Sequence, residues 1–143
     1  MQLRVITPML SVADVDRSLA FYVDKLGFTQ TGRMAHDDGP AFWANVQRDG
    51  QHIMLHAGHD HDAEGNDIPL QRAPDSHRDS TLYLYIDDVA ALHAELSARG
   101  VEAPEPKVMF YGLKETHVVD PDGFYLLFGE PTDEAPDTSC TDG

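Results

Sequence analysis

Ser11-Val12-Ala13-Asp14-Val15 opens one helical stretch of this 143-residue chain, and Tyr85-Ile86-Asp87-Asp88-Val89 opens another. In each, an Asp stands just ahead of a periodic apolar run, where its carboxylate can cap the first free backbone amides. Each run closes on a glycine, in Leu26-Gly27-Phe28 and in Arg99-Gly100-Val101. Glycine takes the left-handed conformation past a helix end at least cost. Val15, Leu19, Tyr22, Val23 and Leu26 form the stripe of the first helix, and Val89, Leu92, His93 and Leu96 that of the second.

A second pair of landmarks recurs at nearly the same offset. Val46-Gln47-Arg48-Asp49-Gly50 before Ile53-Met54-Leu55 matches Val119-Asp120-Pro121-Asp122-Gly123 before Leu126-Leu127-Phe128. Asp-Gly between two strand-like runs reads as a tight hairpin turn. Asp14 and Asp88 lie 74 residues apart, and Gly50 and Gly123 lie 73 apart. The chain is therefore read as two copies of a strand-helix-strand-strand-strand unit, residues 3–58 and 80–131, within one domain spanning 1–131. Residues 59–79, polar and carrying Pro69 and Pro74, read as the connection. The acidic stretch 132–143 has almost nothing to bury and is expected to be a disordered tail.

Charge and composition exclude several function classes. Ten Lys plus Arg against 25 Asp plus Glu leave a formal charge of -15. Such a surface repels phosphate, which argues against nucleic-acid and anionic-membrane partners. No run approaches the ~20 apolar residues that span a bilayer. The first residues lack the apolar stretch of a secretory signal, and the lone Cys140 excludes a disulfide framework. A cytoplasmic protein is expected. The abundance of Asp over Lys fits a salt-adapted protein or, equally, a merely acidic solubilising shell.

Strand side chains alternate between faces, so parity separates two surfaces. Ile6, Leu10, Val12, Ile53, Leu55, Leu82, Leu84, Ile86, Leu126 and Phe128 make an aliphatic face suited to packing under the two helices. The opposite parity collects Val5, Thr7, Met9, His52, Met54, His56, Thr81, Tyr83, Tyr85, Tyr125, Leu127 and Gly129. That face is too apolar for plain solvent and too polar for a sealed core. Apolar walls with a few convergent polar groups suit a ligand cavity; a subunit interface lined with Tyr and His is the competing reading. Trp43, beside Phe42 on the third strand, is either an aromatic wall or core.

Thr7-Pro8-Met9-Leu10-Ser11-Val12-Ala13-Asp14-Val15-Asp16-Arg17-Ser18, with Phe21-Tyr22, Leu26-Gly27-Phe28, Val119-Asp120-Pro121-Asp122-Gly123 and Phe128-Gly129-Glu130, resembles the vicinal oxygen chelate superfamily. This superfamily includes glyoxalase I, bleomycin-resistance proteins, fosfomycin-resistance enzymes and extradiol dioxygenases. The resemblance implies an α+β fold: two βαβββ modules forming a curved, partly open eight-stranded mixed sheet around a cavity, with helices outside, usually as a homodimer. It also implies metal-ligand positions in the first and last strand of each module, which here are Thr7, Met54, Thr81 and Leu127. Two hydroxyls, a thioether and an alkane do not hold a divalent cation, so no metal and no other cofactor is expected.

His52, His56, His59 and His61 fall within ten residues, which reads either as a displaced metal site using His56 with His59 or His61 or as a solvated loop beside hydrogen-bonding strand histidines. No strand-borne carboxylate is foreseen beside them. Two functions follow. One is binding, and possibly sequestering, a small aromatic or amphipathic molecule through Thr7, Met9, Trp43, His52, Met54, His56, Thr81, Tyr83, Tyr85, Tyr125 and Leu127. The other is a lyase or isomerase using His56 or His117 as acid-base, or a His-bound metal.

Overall fold

In the computed structural model, residues 1–71 and 80–138 are described. They divide into two compact units, with the boundary between Pro74 and Asp75. The first contains β1 (Met9–Val12), α1 (Val15–Ala20) continued by a π-helical turn (Phe21–Lys25), β2 (Thr29–Ala35), β3 (Ala41–Arg48) and β4 (Gln51–Ala57). A small hairpin follows, β5 (His59–His61) and β6 (Asp67–Pro69). The second unit contains β7 (Thr81–Tyr85), α2 (Val89–Ala98), β8 (Lys107–Val108), β9 (Leu113–Val119) and β10 (Tyr125–Pro131). This is an α+β architecture in which the repeat seen in the sequence recurs as topology. The sheet orders are β1-β4-β3-β2 and β7-β10-β9-β8. In each, the first strand pairs parallel with the last, and the remaining pairs are antiparallel.

The local signals act as their chemistry requires. Asp14 accepts from the Arg17 amide and Asp88 from the Ala91 amide, each from an extended backbone ahead of its helix. Gly27 and Gly100 follow the helices at positive φ. Asp49 and Gly50 both have positive φ, the signature of a two-residue hairpin turn that matches strand twist. The Asp120 carboxylate instead collects the amides of Asp122 and Phe124, and so holds the second turn closed. Arg33 and the Ala41 amide converge on Asp16, tying α1 to β2 and β3.

Each helix lies on the aliphatic side of its own sheet. Val15, Leu19, Tyr22 and Leu26 are buried with Leu10, Val12, Ile53 and Leu55. Val89, Leu92 and Leu96 are buried with Leu126 and Phe128. At ~1.5–3 kcal/mol for each fully buried large apolar side chain, these faces supply most of the driving force for folding.

Four expectations need correction. The first strand does not reach back to Val5 and Ile6: it begins at Met9, and Ile6 is 82% exposed. Parity extrapolated past Pro8 failed because alternation holds only where a partner strand exists, and β4 pairs with Met9 onward. Leu82, Leu84 and Ile86 are half-buried rather than core. The stretch read as a bare connection contains the β5–β6 hairpin, whose turn is organised by Asp62: its carboxylate accepts from the Glu64 and Asn66 amides. The rest of that connection, 72–79, lies outside the described residues. Finally, the described start of the acidic tail is tied down. Thr132 donates to the Gly112 carbonyl, and Asp137 pairs with Val108 in both directions, so polar groups hold what apolar ones cannot. Residues 139–143, with Cys140, are outside the described residues.

Candidate functional site

Register, more than parity, assembles the polar-aromatic face of each sheet. In the first unit Met9 stands opposite Met54, which stands opposite Asn45; Ser11 stands opposite His56, which stands opposite Trp43; and His52 faces Gln47. Met9, Trp43, His52, Met54 and His56 thus share one surface, with Thr7 just ahead of β1. Its imidazoles are committed to neighbours. His56 Nε2 lies 2.8 Å from Ser11 Oγ, and His52 Nδ1 lies 2.9 Å from Asn45 Nδ2. An amide nitrogen only donates, so the neutral His52 ring carries its proton on Nε2. Asn45, itself buried, also bonds Thr31. The Trp43 indole lies over Gly32, where a side-chain carbon would come within 2.9 Å of it.

In the second unit Thr81, Tyr83 and Tyr85 stand opposite Tyr125, Leu127 and Gly129, which in turn face Val119, His117 and Glu115. This settles the side on which His117 projects. Its ring stacks on Tyr125, with centroids 4.5 Å apart and planes 23° apart. Burial holds the His117 imidazole below the ordinary histidine range. Tyr83 and Tyr85 form a second ring pair at 4.9 Å.

Glu115 is the residue that sequence reasoning missed. It is only 7% exposed, and its two oxygens accept from two phenols: Tyr83 at 2.5 Å and Tyr111 through a very short bond. Among the described residues its carboxylate makes no ion pair, although Lys107 stands opposite it in register. Burial, then the hydrogen bond to Glu115, push the Tyr83 phenol well above the ordinary tyrosine range, and burial, then the charge of Glu115, raise that of Tyr125. A signal did exist: Glu115 is two residues from His117 and so belongs to the same face of β9. Tyr111 lies in a loop, beyond any periodicity.

The donor set at the first- and last-strand positions does not suit a divalent cation. Thr7, Met54, Thr81 and Leu127 offer no imidazole or carboxylate of their own; of their register partners Met9, Asn45, Tyr83 and Tyr125 add none, and His117, opposite Leu127, adds a single imidazole. Of the clustered histidines, His56 turns to Ser11, whereas His59 and His61 sit on the hairpin beside Asp67. The expectation that no strand would fix a carboxylate there is thus corrected. A groove bounded by Gly112, Pro131, Thr132 and Asp133 has no aromatic ring or imidazole among those residues. The distinctive chemistry is on the sheet faces.

Residues 4–128 match the family model described as the Glyoxalase/Bleomycin resistance protein/Dioxygenase superfamily. The chain belongs to that superfamily. Among solved structures it is similar to TnmS3, an antibiotic binding protein from Streptomyces sp. CB03234, at 24% identity over 92% of this chain and 99% of that one, with a TM-score of 0.67. A bleomycin-binding protein complexed with bleomycin matches at 23% identity over 90% and 98%, TM-score 0.67. The bleomycin resistance determinant encoded on transposon Tn5 matches at 23% over 92% and 100%, TM-score 0.68. These likenesses establish the fold. No curated protein sequence matches the chain.

Proposed function

We propose that this protein binds a small flat molecule, aromatic and either neutral or cationic, without transforming it and without a divalent metal at Thr7, Met54, Thr81 or Leu127. The observation that carries this reading is the buried Glu115 carboxylate, held by Tyr83 and Tyr111 and flanked on its sheet face by Tyr85, Tyr125 and His117. Aromatic faces attract cations and stack planar ligands, and a carboxylate without a basic partner among the described residues strengthens that preference. The net charge of -15 acts in the same direction at longer range. Trp43, His56 and Met54 form a second apolar-polar surface with the same ligand class. Two similar folds, under 25% identical, belong to proteins described as binding antibiotics, which supports the class of function.

Thermal shift tests it, with bleomycin, an aminoacridine and a naphthalene sulfonate as probes. A ligand at ~100 times its Kd stabilises by about 2.7 kcal/mol. A raised Tm with a cationic probe, and an affinity reduced at least ~10-fold in Glu115→Gln, are expected. No shift with any probe, or an equal shift with the sulfonate, would overturn it.

A second reading, a lyase or isomerase, rests on His117, whose lowered pKa leaves a neutral base at pH 7. Loss of turnover in His117→Asn, with ligand affinity retained, would favour it. His56, whose Nε2 lies 2.8 Å from Ser11 Oγ, is the other imidazole this scheme could use. We further infer a homodimer, supported by the exposed Leu3, Val5, Ile6 and Met9, and light scattering at the monomer mass would refute it. A cytoplasmic setting without nucleic-acid or membrane partners completes the proposal; no helix among the described residues is long and apolar enough to cross a membrane.

A further inference from the structure

The β5–β6 hairpin carries a cluster that the ligand reading does not use. His61 stands directly opposite Asp67 in register, and His59 lies two residues along the same strand, so all three project from one face. His61 Nδ1 is 3.1 Å from Asp67 Oδ1, and His59 Nε2 is 3.7 Å from the same oxygen. The three ligand atoms lie within 4.8 Å of one another. The two imidazole rings meet edge to face, with centroids 5.3 Å apart, and one nitrogen of each already lies near the same Asp67 oxygen.

From this arrangement the geometry points to a divalent-cation site formed by His59, His61 and Asp67, selective for a borderline metal such as Zn²⁺ and distinct from the first- and last-strand positions of the superfamily. Two imidazoles and a carboxylate are a donor set for zinc. Bonds of about 2.0–2.2 Å in a tetrahedron separate ligand atoms by about 3.3 Å, close to the two shorter distances here. All three side chains are exposed, so rotamer changes can close the longest gap without moving the backbone.

The hairpin is shaped to present these residues. Asp62 accepts from the Glu64 and Asn66 amides and from the Asn66 side chain, and Gly65 turns at positive φ. That carboxylate is thereby engaged in the turn instead of competing as a ligand. Asp60, of the opposite parity, accepts from the Gln71 amide. Three protein ligands leave one position open to water or to a donor atom of another molecule.

The test uses tag-free full-length protein titrated with Zn²⁺ alone by calorimetry, and with Co²⁺ alone by visible absorption. One equivalent of bound metal is expected, with the intense bands of a four-coordinate Co²⁺ site. His61→Ala and Asp67→Asn should each weaken Zn²⁺ at least ~10-fold, with Tm in the absence of metal unchanged because the residues are exposed. His52→Ala with His56→Ala should leave binding intact. Zn²⁺ affinity unaffected by the hairpin substitutions, or lost instead in the His52 and His56 variant, would overturn the assignment. So would the weak bands of six-coordinate Co²⁺. Because aminoacridine binding is measured without metal, failure here and failure of the ligand reading are separable.

Discussion

The Tyr83 hydroxyl reaches Glu115 Oε2 at 2.5 Å by passing over Gly129, where an added side-chain carbon would lie 2.2 Å from that hydroxyl. Gly129 is thus the floor that lets a phenol from β7 reach a carboxylate on β9. Gly129→Ala must push the Tyr83 ring aside and break the bond. Overpacking of this kind costs ~1–3 kcal/mol, and leaving a buried carboxylate short of a donor costs more than a neutral bond. Urea unfolding should show a loss of at least ~1 kcal/mol, and Tyr83→Phe should show a similar loss without the clash. An unchanged midpoint in both variants would remove Glu115 from the reading.

The same pair sets an alkaline limit. Burial first, and the hydrogen bond to Glu115 second, raise the Tyr83 pKa above its unfolded value near 10. A group with a raised folded pKa contributes stability that is fully present below the unfolded pKa and is lost as pH rises through the folded one. Stability should therefore decline from about pH 10 upward, and less steeply in Tyr83→Phe. Tyr125, also raised by burial, supplies the residual slope. Chemical denaturation at pH 9, 10 and 11 reads both.

His117 gives the opposite slope on the acid side. Burial depresses its folded pKa, so its contribution is present above the unfolded value near 6.5 and lost as pH falls through the folded one. Between pH 7 and pH 5 the wild-type protein should lose stability that His117→Gln retains. Superimposable profiles would mean that the Tyr125 stack does not desolvate the ring.

How much of this was legible before the structure depends on the range of the interaction concerned. Asp14, Asp88, Gly27, Gly100, Asp49 and Gly50 act on backbone within four residues, so a sequence window contains both partners. Parity placed Met54, His56, Tyr83, Tyr125 and Leu127 correctly on faces because each strand has a pairing partner along that stretch. It failed at Val5 and Ile6, where pairing ends. Glu115 stayed hidden because its burial depends on Tyr83, 32 residues away, and on a loop tyrosine. Asp67 was hidden for a related reason: its meeting with His61 follows from a turn built by the Asp62 side chain, and runs of polar residues carry no periodicity.

The caps offer a check on the repeat as an energetic unit. Asp14→Ala and Asp88→Ala each remove one carboxylate from a helix start, at ~0.5–2 kcal/mol apiece. The two caps lie in different compact units and share no bonding partner, so the double variant should lose the sum within ~0.5 kcal/mol. A loss well above the sum in equilibrium unfolding would show coupling that the separate caps do not account for.

Trp43 is the sole tryptophan, which makes the first unit's face directly observable. Its indole rests on Gly32 and stands opposite His56 in register. A planar ligand on that face should quench or shift its emission, whereas one confined to Tyr85 and Tyr125 should leave it unaltered. Gly32→Ala places a carbon 2.9 Å from the ring and must tilt it. The variant should bind the aminoacridine several-fold more weakly if the indole contacts it, and with unchanged affinity if only the tyrosine face does. Fluorescence titration of the two proteins separates these outcomes, and thereby tells which of the two homologous faces holds the ligand.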